Sequence, residues 1–337
     1  RLENAGVDVI PMMGKFIGDG EIDTGGQTIR YRKAMIATGA TPVVPAIPGL
    51  RESNPLTSDT VWGLKELPKR LVVVGGGAIG CELGQAFSRL GSEVTLVEAT
   101  PRILGMLGEN VSELIATRFQ DEGITVLQGA KVTSVEGSAS AGNLVVIVDN
   151  ETRIEADHVL VAVGRRPTTA NLNLGAVGVA VTDSGHVEVD DKLKTTNDHI
   201  YAGGDVVGKM PFTHTAGMHG SLVVSNALFG LRRKADHLRI PYAIFCDPEV
   251  ASVGRITPKG NENLTISHFD YQQLDRQVTT GEPVGFVDLF TDDKGRLVGA
   301  TVVGETAGET INEMTARILA GDKLRAIAQM VRPYPTF

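Results

Sequence analysis

The 337 residues are enough for about two or three domains, each with a core of its own. With 42% hydrophobic and 21% charged residues the composition is that of a globular protein, and 32 Lys and Arg against 40 Asp and Glu leave a net charge of −8, which argues against a nucleic-acid partner. No apolar run approaches the ~20 residues of a membrane helix and no signal-peptide pattern opens the chain, so a cytoplasmic protein without a membrane partner is expected.

Forty glycines, well above the usual roughly 7%, are scattered among apolar strand-like runs, as expected where backbone must turn tightly or approach phosphates. The first such run, Ala34 to Ala37, reads as a strand leading into Thr38-Gly39-Ala40-Thr41-Pro42. Leu71 to Val74 then enters Gly75-Gly76-Gly77-Ala78-Ile79-Gly80, a Gly-x-Gly-x-x-Gly loop. Ile79, Leu83, Ala86, Phe87 and Leu90 recur at helical spacing and predict a helix, closed by Gly91. Glu93 to Glu98 is a second strand, and its terminal carboxylate stands where a ribose is held in such units. Strand, loop, helix and strand together predict a dinucleotide site; a turn used only for close packing is the alternative. Glu98 would accept from a ribose 2′-OH and repel a 2′-phosphate, so NAD(H) is expected in preference to NADP(H).

Val159 to Val163 followed by Gly164-Arg165-Arg166-Pro167 repeats the Ala-x-Gly-x-x-Pro pattern of Ala37 to Pro42, each copy after a turn-rich segment of hairpin character. The same spacing applied to the first copy places its glycine loop upstream of Arg1, and both ends of the chain read as cut. His199 to Ala202 is another short strand entering Gly203-Gly204-Asp205. Pro211, Phe212, Thr213 and His214 then open a helix running through Leu222, Val223, Ala227 and Leu228 to Gly230. An Asp at a strand end beside a helix N-terminus suits a polyhydroxyl chain; a simple turn cap is the alternative.

From about Pro241 the pattern changes to strands at Tyr242–Cys246, Gly285–Phe290 and Leu297–Val303, with a turn at Asp292-Asp293-Lys294-Gly295. Two helices follow, the first carrying Ile311, Met314, Ile318 and Leu319 on one face as far as Gly321, the second over 323–330. Cys81 and Cys246 form no Cys-x-x-Cys pair and the seven His show no ligand spacing, so neither a disulfide nor a metal site is expected. Cys81 and Trp62 read as packing residues.

Taken in order, Ala-Thr-Gly, Gly-Gly-Gly-Ala-Ile-Gly-Cys-Glu, Gly-Arg-Arg-Pro, Gly-Gly-Asp and Asp247-Pro248-Glu249-Val250-Ala251-Ser252-Val253-Gly254 resemble the pyridine nucleotide-disulfide oxidoreductases, of the mercuric reductase and dihydrolipoamide dehydrogenase kind. The resemblance implies an α/β fold. Its parts would be the rear of an FAD-binding Rossmann-like domain (1–67), an NAD-binding domain (68–181), a return to the FAD domain (182–238) and an α+β dimerisation domain (239–337). It further implies an FAD-dependent enzyme that passes electrons from NAD(P)H through flavin to a disulfide, metal ion or other small-molecule acceptor, working as a homodimer.

By the same resemblance Thr38, Gly39 and Ala40 approach FAD, Asp205 holds its hydroxyls, and Pro211, Phe212, Thr213 and His214 place a helix N-terminus against the flavin. Gly75, Gly77, Ala78, Ile79 and Gly80 cradle the NAD pyrophosphate and Glu98 its ribose. Glu82 lies near the nicotinamide carboxamide, Val132 and Gly164 line the nucleotide, and Arg165 joins the cofactor-binding residues. The family's first glycine loop and redox cysteine pair are expected before Arg1, so this chain alone is expected to turn over little. Tyr334-Pro335-Thr336 stands where dihydrolipoamide dehydrogenase has His-Pro-Thr, making Tyr334 the catalytic candidate, although a phenol is a poor base at neutral pH. A silent NAD-binding, dimerising remnant and a soluble pyridine nucleotide transhydrogenase are the competing readings.

Overall fold

The structure, a computed structural model, describes residues 1–139, 142–258, 263–281 and 284–337. The chain opens with an antiparallel sheet of β1 (Lys15–Gly18), β2 (Glu21–Asp23) and β3 (Thr28–Arg30), then β4 (Ala34–Ile36) and β5 (Ala40–Pro42). Next come β6 (Leu56–Thr57), β7 (Arg70–Val74), α1 (Ala78–Leu90), β8 (Glu93–Glu98), α2 (Glu109–Asp121) and β9 (Thr125–Gln128). A second antiparallel trio, β10 (Val132–Glu136), β11 (Leu144–Val148) and β12 (Thr152–Ala156), leads to β13 (His158–Val161) and β14 (Arg165–Pro167). The internal repeat is thus visible as two copies of antiparallel trio, short strand and Pro-containing exit, and the two exits, β5 and β14, pair with each other.

After these come β15 (Ile200–Ala202) and α3 (Thr213–Phe229). The C-terminal part holds β16 (Tyr242–Ile244), β17 (Glu249–Gly254), β18 (Thr265–Asp270), α4 (Asp275–Thr280), β19 (Phe286–Thr291), β20 (Leu297–Gly304), α5 (Ala307–Ala320) and α6 (Leu324–Ala328).

Two compact units result, one of residues 1–41 with 165–237, the other of 42–164 with 238–337. These divisions differ from the boundaries at 67/68, 181/182 and 238/239 read from the sequence. Residues 42–67 supply β6, which pairs in parallel with β13, and Leu50, fully buried with Val72, Val97 and Val161. Leu174, Val177 and Val179 instead share a core with Phe16, Ile36 and Ile200 of the first unit. The C-terminal sheet packs within the second unit, Ile244, Val250, Phe286 and Val303 sharing one cluster with Leu71, Val73, Ile115 and Phe119. Which core a segment joins is a tertiary property that composition does not display.

In the second unit β6-β13-β7-β8-β9 form a five-stranded parallel sheet, whose inner strands are apolar on both faces, as a sheet covered on both sides requires. The helix α1 seats on it only partly through its apolar stripe, with Leu83 and Phe87 half-buried against the core. Gly80, Cys81, Gly84 and Gln85 are the buried residues, while Ala86 and Leu90 are exposed. A Cβ on Gly84 would lie 3.8 Å from side-chain atoms of Leu96, Val73 and Val94, so the helix approaches the strands on its small-residue side. Leu319 likewise turns outward from α5, and Trp62, read as packing, is 77% exposed with its indole N–H donating to the Ser58 carbonyl.

The antiparallel sheet, in the order β16-β17-β20-β19-β18, packs α5 on one face through Ala251, Val253, Ala300 and Val302. Its other face carries a polar row in strict register: Tyr242, Ser252, Thr301, Asp288 and His268, one from each strand. Ser252 and Thr301 hydroxyls are 3.2 Å apart. The buried Asp288 carboxylate accepts from Asn110 of α2 at 2.8 Å and pairs with His268 Nδ1 at 2.6 Å.

Candidate cofactor sites

Each unit brings a glycine-rich strand exit to a helix N-terminus, where several backbone N–H groups have no intrahelical partner. In the second unit β7 enters the loop at Gly75, whose φ of +108° is left-handed and whose Cβ position is occupied by the Ala162 carbonyl at 2.6 Å. A Cβ on Gly80 would stand 1.9 Å from the Gly75 carbonyl oxygen, so the loop folds directly onto the first turn of α1. Gly77, the N-cap, offers no side chain to the helix, and nothing lies within 4 Å of its Cβ position. Gly76, between the motif positions, is equally constrained: its Cβ would meet Ile103 at 2.6 Å and Glu98 Oε2 at 3.2 Å. The result is a tight turn with open space in front of Gly77 and the start of α1 at Ala78 and Ile79.

At the end of β8 the Glu98 carboxylate accepts from the Gly76 N–H and the Thr100 N–H, both at 2.6 Å. It therefore shapes the loop as well as presenting negative charge beside it. Glu82, one turn into α1, accepts from the Phe245 N–H at 2.8 Å; burial raises its pKa against the lowering by that bond. This backbone partner was not legible in the sequence, since 163 positions separate the two residues. Val132 begins β10 with its side chain buried, leaving only its backbone available to a ligand. Gly164 has a φ of +127° and open space at its Cβ position.

The first unit gathers a different set. Thr38 donates its hydroxyl to the Thr168 carbonyl at 2.7 Å, and Gly39, at φ +67° with nothing near its Cβ position, accepts from the Thr168 N–H at 3.0 Å. Arg165 donates to the Ala40 carbonyl at 2.6 Å and lies 4.0 Å from the Asp205 carboxylate, so it belongs with the Ala40 and Asp205 group rather than with the Gly75 loop. Asp205 sits in a 3-10 turn over Gly204–Val207 that follows β15. The helix α3 starts at Thr213 with no side-chain cap from Phe212, and the Phe212 and His214 rings stack at 5.4 Å. Behind the turn lies a contact absent from the sequence reading: the Gly204 N–H donates to Nδ1 of the fully buried His219 at 3.0 Å.

Tyr334 is far from a general base. Its hydroxyl donates to Asp275 at 2.8 Å, and that carboxylate raises its pKa further. Both thiols are buried, Cys81 under the loop with Sγ 3.4 Å from the Gly76 carbonyl, and burial raises both pKa values. Among the described residues no group of three or more His, Cys, Asp or Glu could hold a metal ion, and no helix is long and apolar enough to cross a membrane.

A family model described as pyridine nucleotide-disulphide oxidoreductase matches residues 1–220, and one described as that family's dimerisation domain matches 240–337. A mercuric reductase of Bacillus cereus is 35% identical over 340 residues, covering 99% of this chain and 54% of its own length. A dihydrolipoyl dehydrogenase of Bacillus subtilis is 32% identical over 341 residues, covering 98% of this chain and 72% of its own. The Cu(II) complex of the HOCl-induced flavoprotein disulfide reductase RclA from Escherichia coli matches with a TM-score of 0.88 at 29% identity, over 98% of this chain and 77% of that one. The chain spans between 54% and 62% of the length of the mercuric reductases it matches. Motif order, the two glycine-built helix entrances and these matches agree: the chain belongs to the pyridine nucleotide-disulphide oxidoreductase family.

Proposed function

We propose that this chain serves an FAD-dependent oxidoreductase that takes electrons from NAD(H) and delivers them to a disulfide, a metal ion or another small acceptor. The observation that carries the reading is the Gly75–Gly80 loop. It leaves open space at Gly77, sets the N-terminus of α1 behind it, and holds a carboxylate beside it at Glu98. These residues fit a dinucleotide: Gly75, Gly77, Ala78, Ile79 and Gly80 receive the pyrophosphate on backbone N–H groups, and Glu98 takes the ribose hydroxyls. Glu82 orients the carboxamide end, with the backbone of Val132 and Gly164 along the nucleotide.

The first unit fits the flavin half in the same terms. Thr38, Gly39 and Ala40 offer backbone, Asp205 accepts from ribityl hydroxyls, and the uncapped start of α3 at Thr213, with Pro211, Phe212 and His214, favours negative charge. Arg165 ties the Ala40 strand to the Asp205 turn. Bound together, the two cofactors supply hydride transfer from nicotinamide and electron delivery to the acceptor. Tyr334 keeps its proton on the Asp275 hydrogen bond and is given no base role. Residues 240–337 carry the assembly of a homodimer through an isologous interface.

Titrations of the purified chain with NADH, NADPH and FAD test the reading, with sedimentation testing assembly. NADH binding tighter than NADPH binding, FAD binding seen as quenched flavin fluorescence, and a dimer are expected. Tighter NADPH binding overturns the Glu98 assignment, absent FAD binding overturns the first unit's role, and a monomer at micromolar concentration overturns the assembly.

A further inference from the structure

The fully buried His219 and the half-buried His237 form an imidazole pair, Nε2 to Nε2 at 2.8 Å, behind the turn that carries Asp205. The hydrogen bonds dictate the tautomers. His219 Nδ1 accepts from the Gly204 N–H at 3.0 Å, so its proton sits on Nε2 and is donated to His237, whose own proton must then sit on Nδ1. Both rings are therefore neutral, and each lone pair is committed. The space is closed as well, since a Cβ on Gly203 would meet His219 Cβ at 2.9 Å and Met35 of β4 at 2.7 Å.

We propose that His219 is a positioning residue for the Gly203–Asp205 turn and that the His219–His237 pair makes this turn pH-sensitive, gripping the flavin's hydroxyl chain when neutral and releasing it when protonated. The proposal rests on the flavin reading of Asp205. Adding one proton necessarily breaks one bond. If His237 gains it on Nε2, two N–H groups face each other across 2.8 Å. If His219 takes the acceptor role instead, its Nδ1 carries a proton against the Gly204 N–H and the turn loses its anchor.

The surrounding charges give the pair no counter-ion strong enough to hold that proton. Burial first, then the partner ring and Lys209, lowers the His219 pKa to about 4, and burial with Lys209 lowers that of His237 against a raising by Asp236. Lys234, in the segment that leads to His237, is paired with Asp191. His237 is only half-buried, so protons reach the pair from its side.

Imidazole nitrogen shifts and Gly204 amide protection, measured on the whole chain, test the clamp itself, and FAD titration by fluorescence tests its consequence. At about pH 7.5 the Nε2–H tautomer of His219 and the Nδ1–H tautomer of His237 are expected, and as pH falls from there to about 4, where the pair takes up its proton, the FAD affinity falls by up to about tenfold, the worth of one buried hydrogen bond. His219→Leu should lose Gly204 protection and bind FAD about tenfold more weakly at both pH values. His219→Asn, whose side-chain oxygen can still accept from Gly204, should bind FAD as the parent does at the higher pH and lose the pH dependence.

The opposite tautomers, or Gly204 protection unchanged in both His219→Leu and the acidified parent, overturn the clamp. A clamp confirmed by tautomers and protection in a chain that binds no FAD at any pH overturns the flavin reading instead. Equal pH dependence in His219→Asn and the parent overturns the switch.

Discussion

Adding a methyl group at either of two glycines in the Gly75–Gly80 loop should separate stability from binding. At Gly80 the new Cβ stands 1.9 Å from the Gly75 oxygen and 3.0 Å from its carbon, both backbone atoms, with Val73 Cγ1 at 3.4 Å. Restoring a carbon–oxygen contact of about 3.3 Å moves α1 about 1.4 Å away from the loop. That movement lifts α1 from the core cluster against which Leu83 and Phe87 pack, and van der Waals contacts lose a quarter to a half of their attraction over a gap of about 1 Å. Gly80→Ala should therefore cost about 3 kcal/mol, the upper end for overpacking, because the obstacle is a main-chain carbonyl and no rotamer change relieves it.

At Gly77 the same methyl group meets nothing within 4 Å, and its φ of −77° suits any residue. Stability should change by less than about 1 kcal/mol, the entropy gain of Ala opposing its weaker capping. NADH affinity should nevertheless fall about tenfold or more, as the methyl group occupies the space a pyrophosphate needs. Urea denaturation and NADH calorimetry on both variants make the comparison. An unchanged urea midpoint in Gly80→Ala, or a Gly77→Ala that binds NADH like the parent, would refute this account of the loop.

Glu98→Ala removes acceptors from the Gly76 and Thr100 N–H groups, so it should weaken NADH binding and shrink the NADH-to-NADPH preference by about tenfold; an unchanged ratio of dissociation constants contradicts the assignment. Asp157 takes the N–H groups of Lys69 and Arg70, both at 2.9 Å, and the Arg70 guanidinium at 3.0 Å. Partial burial raises its pKa, but the Arg70 bonds and the Lys69 N–H outweigh it and hold the carboxyl below its ordinary range. Its stabilisation is thus complete above the unfolded value of about 3.9 and lost as pH falls through the lower folded value. Asp157→Asn should cost about 2 kcal/mol at neutral pH and flatten that acid limb in denaturation measured against pH. Cys81 and Cys246 should resist a thiol reagent in the native chain and react once urea unfolds it; fast labelling of either in the native chain contradicts their burial.

The β7–α1–β8 unit was legible almost to the residue because its signals are local: an apolar run, a left-handed glycine and a Gly91 stop. The most buried side of α1 was not: Leu83 and Phe87 of the apolar stripe pack on the core only half-buried, while Gly80, Cys81, Gly84 and Gln85 are buried outright, and the tight fit at Gly80 is against the Gly75 carbonyl, a loop contact that hydrophobicity does not register. β17 was recognised as a motif and not as a strand, since Asp247 and Pro248 mask its start. β18 mixes Thr, Ser, His and Asp and shows no apolar alternation. The Glu98 and Asp205 positions follow from strand ends, but the Gly204 to His219 bond and the Glu82 to Phe245 bond join elements distant in sequence and leave no pattern in it. The partner of His219 is likewise remote in sequence, His237 beyond the end of the helix.

The polar row across the antiparallel sheet has a consequence for how that sheet chooses its alignment. Sliding β19 by one residue against β20 would turn Asp288 toward Ala300, Val302 and α5, and would carry Leu289 to the side where Asn110 and His268 wait for a carboxylate. An ionised group stranded among alkyl side chains costs several kcal/mol, more than the misaligned backbone bonds recover. A sheet of Val, Ala and Leu alone would pair almost equally well one step out of line. A single buried charge with two fixed partners works as a lock-pin, so the antiparallel strands have one alignment that closes and neighbours that do not.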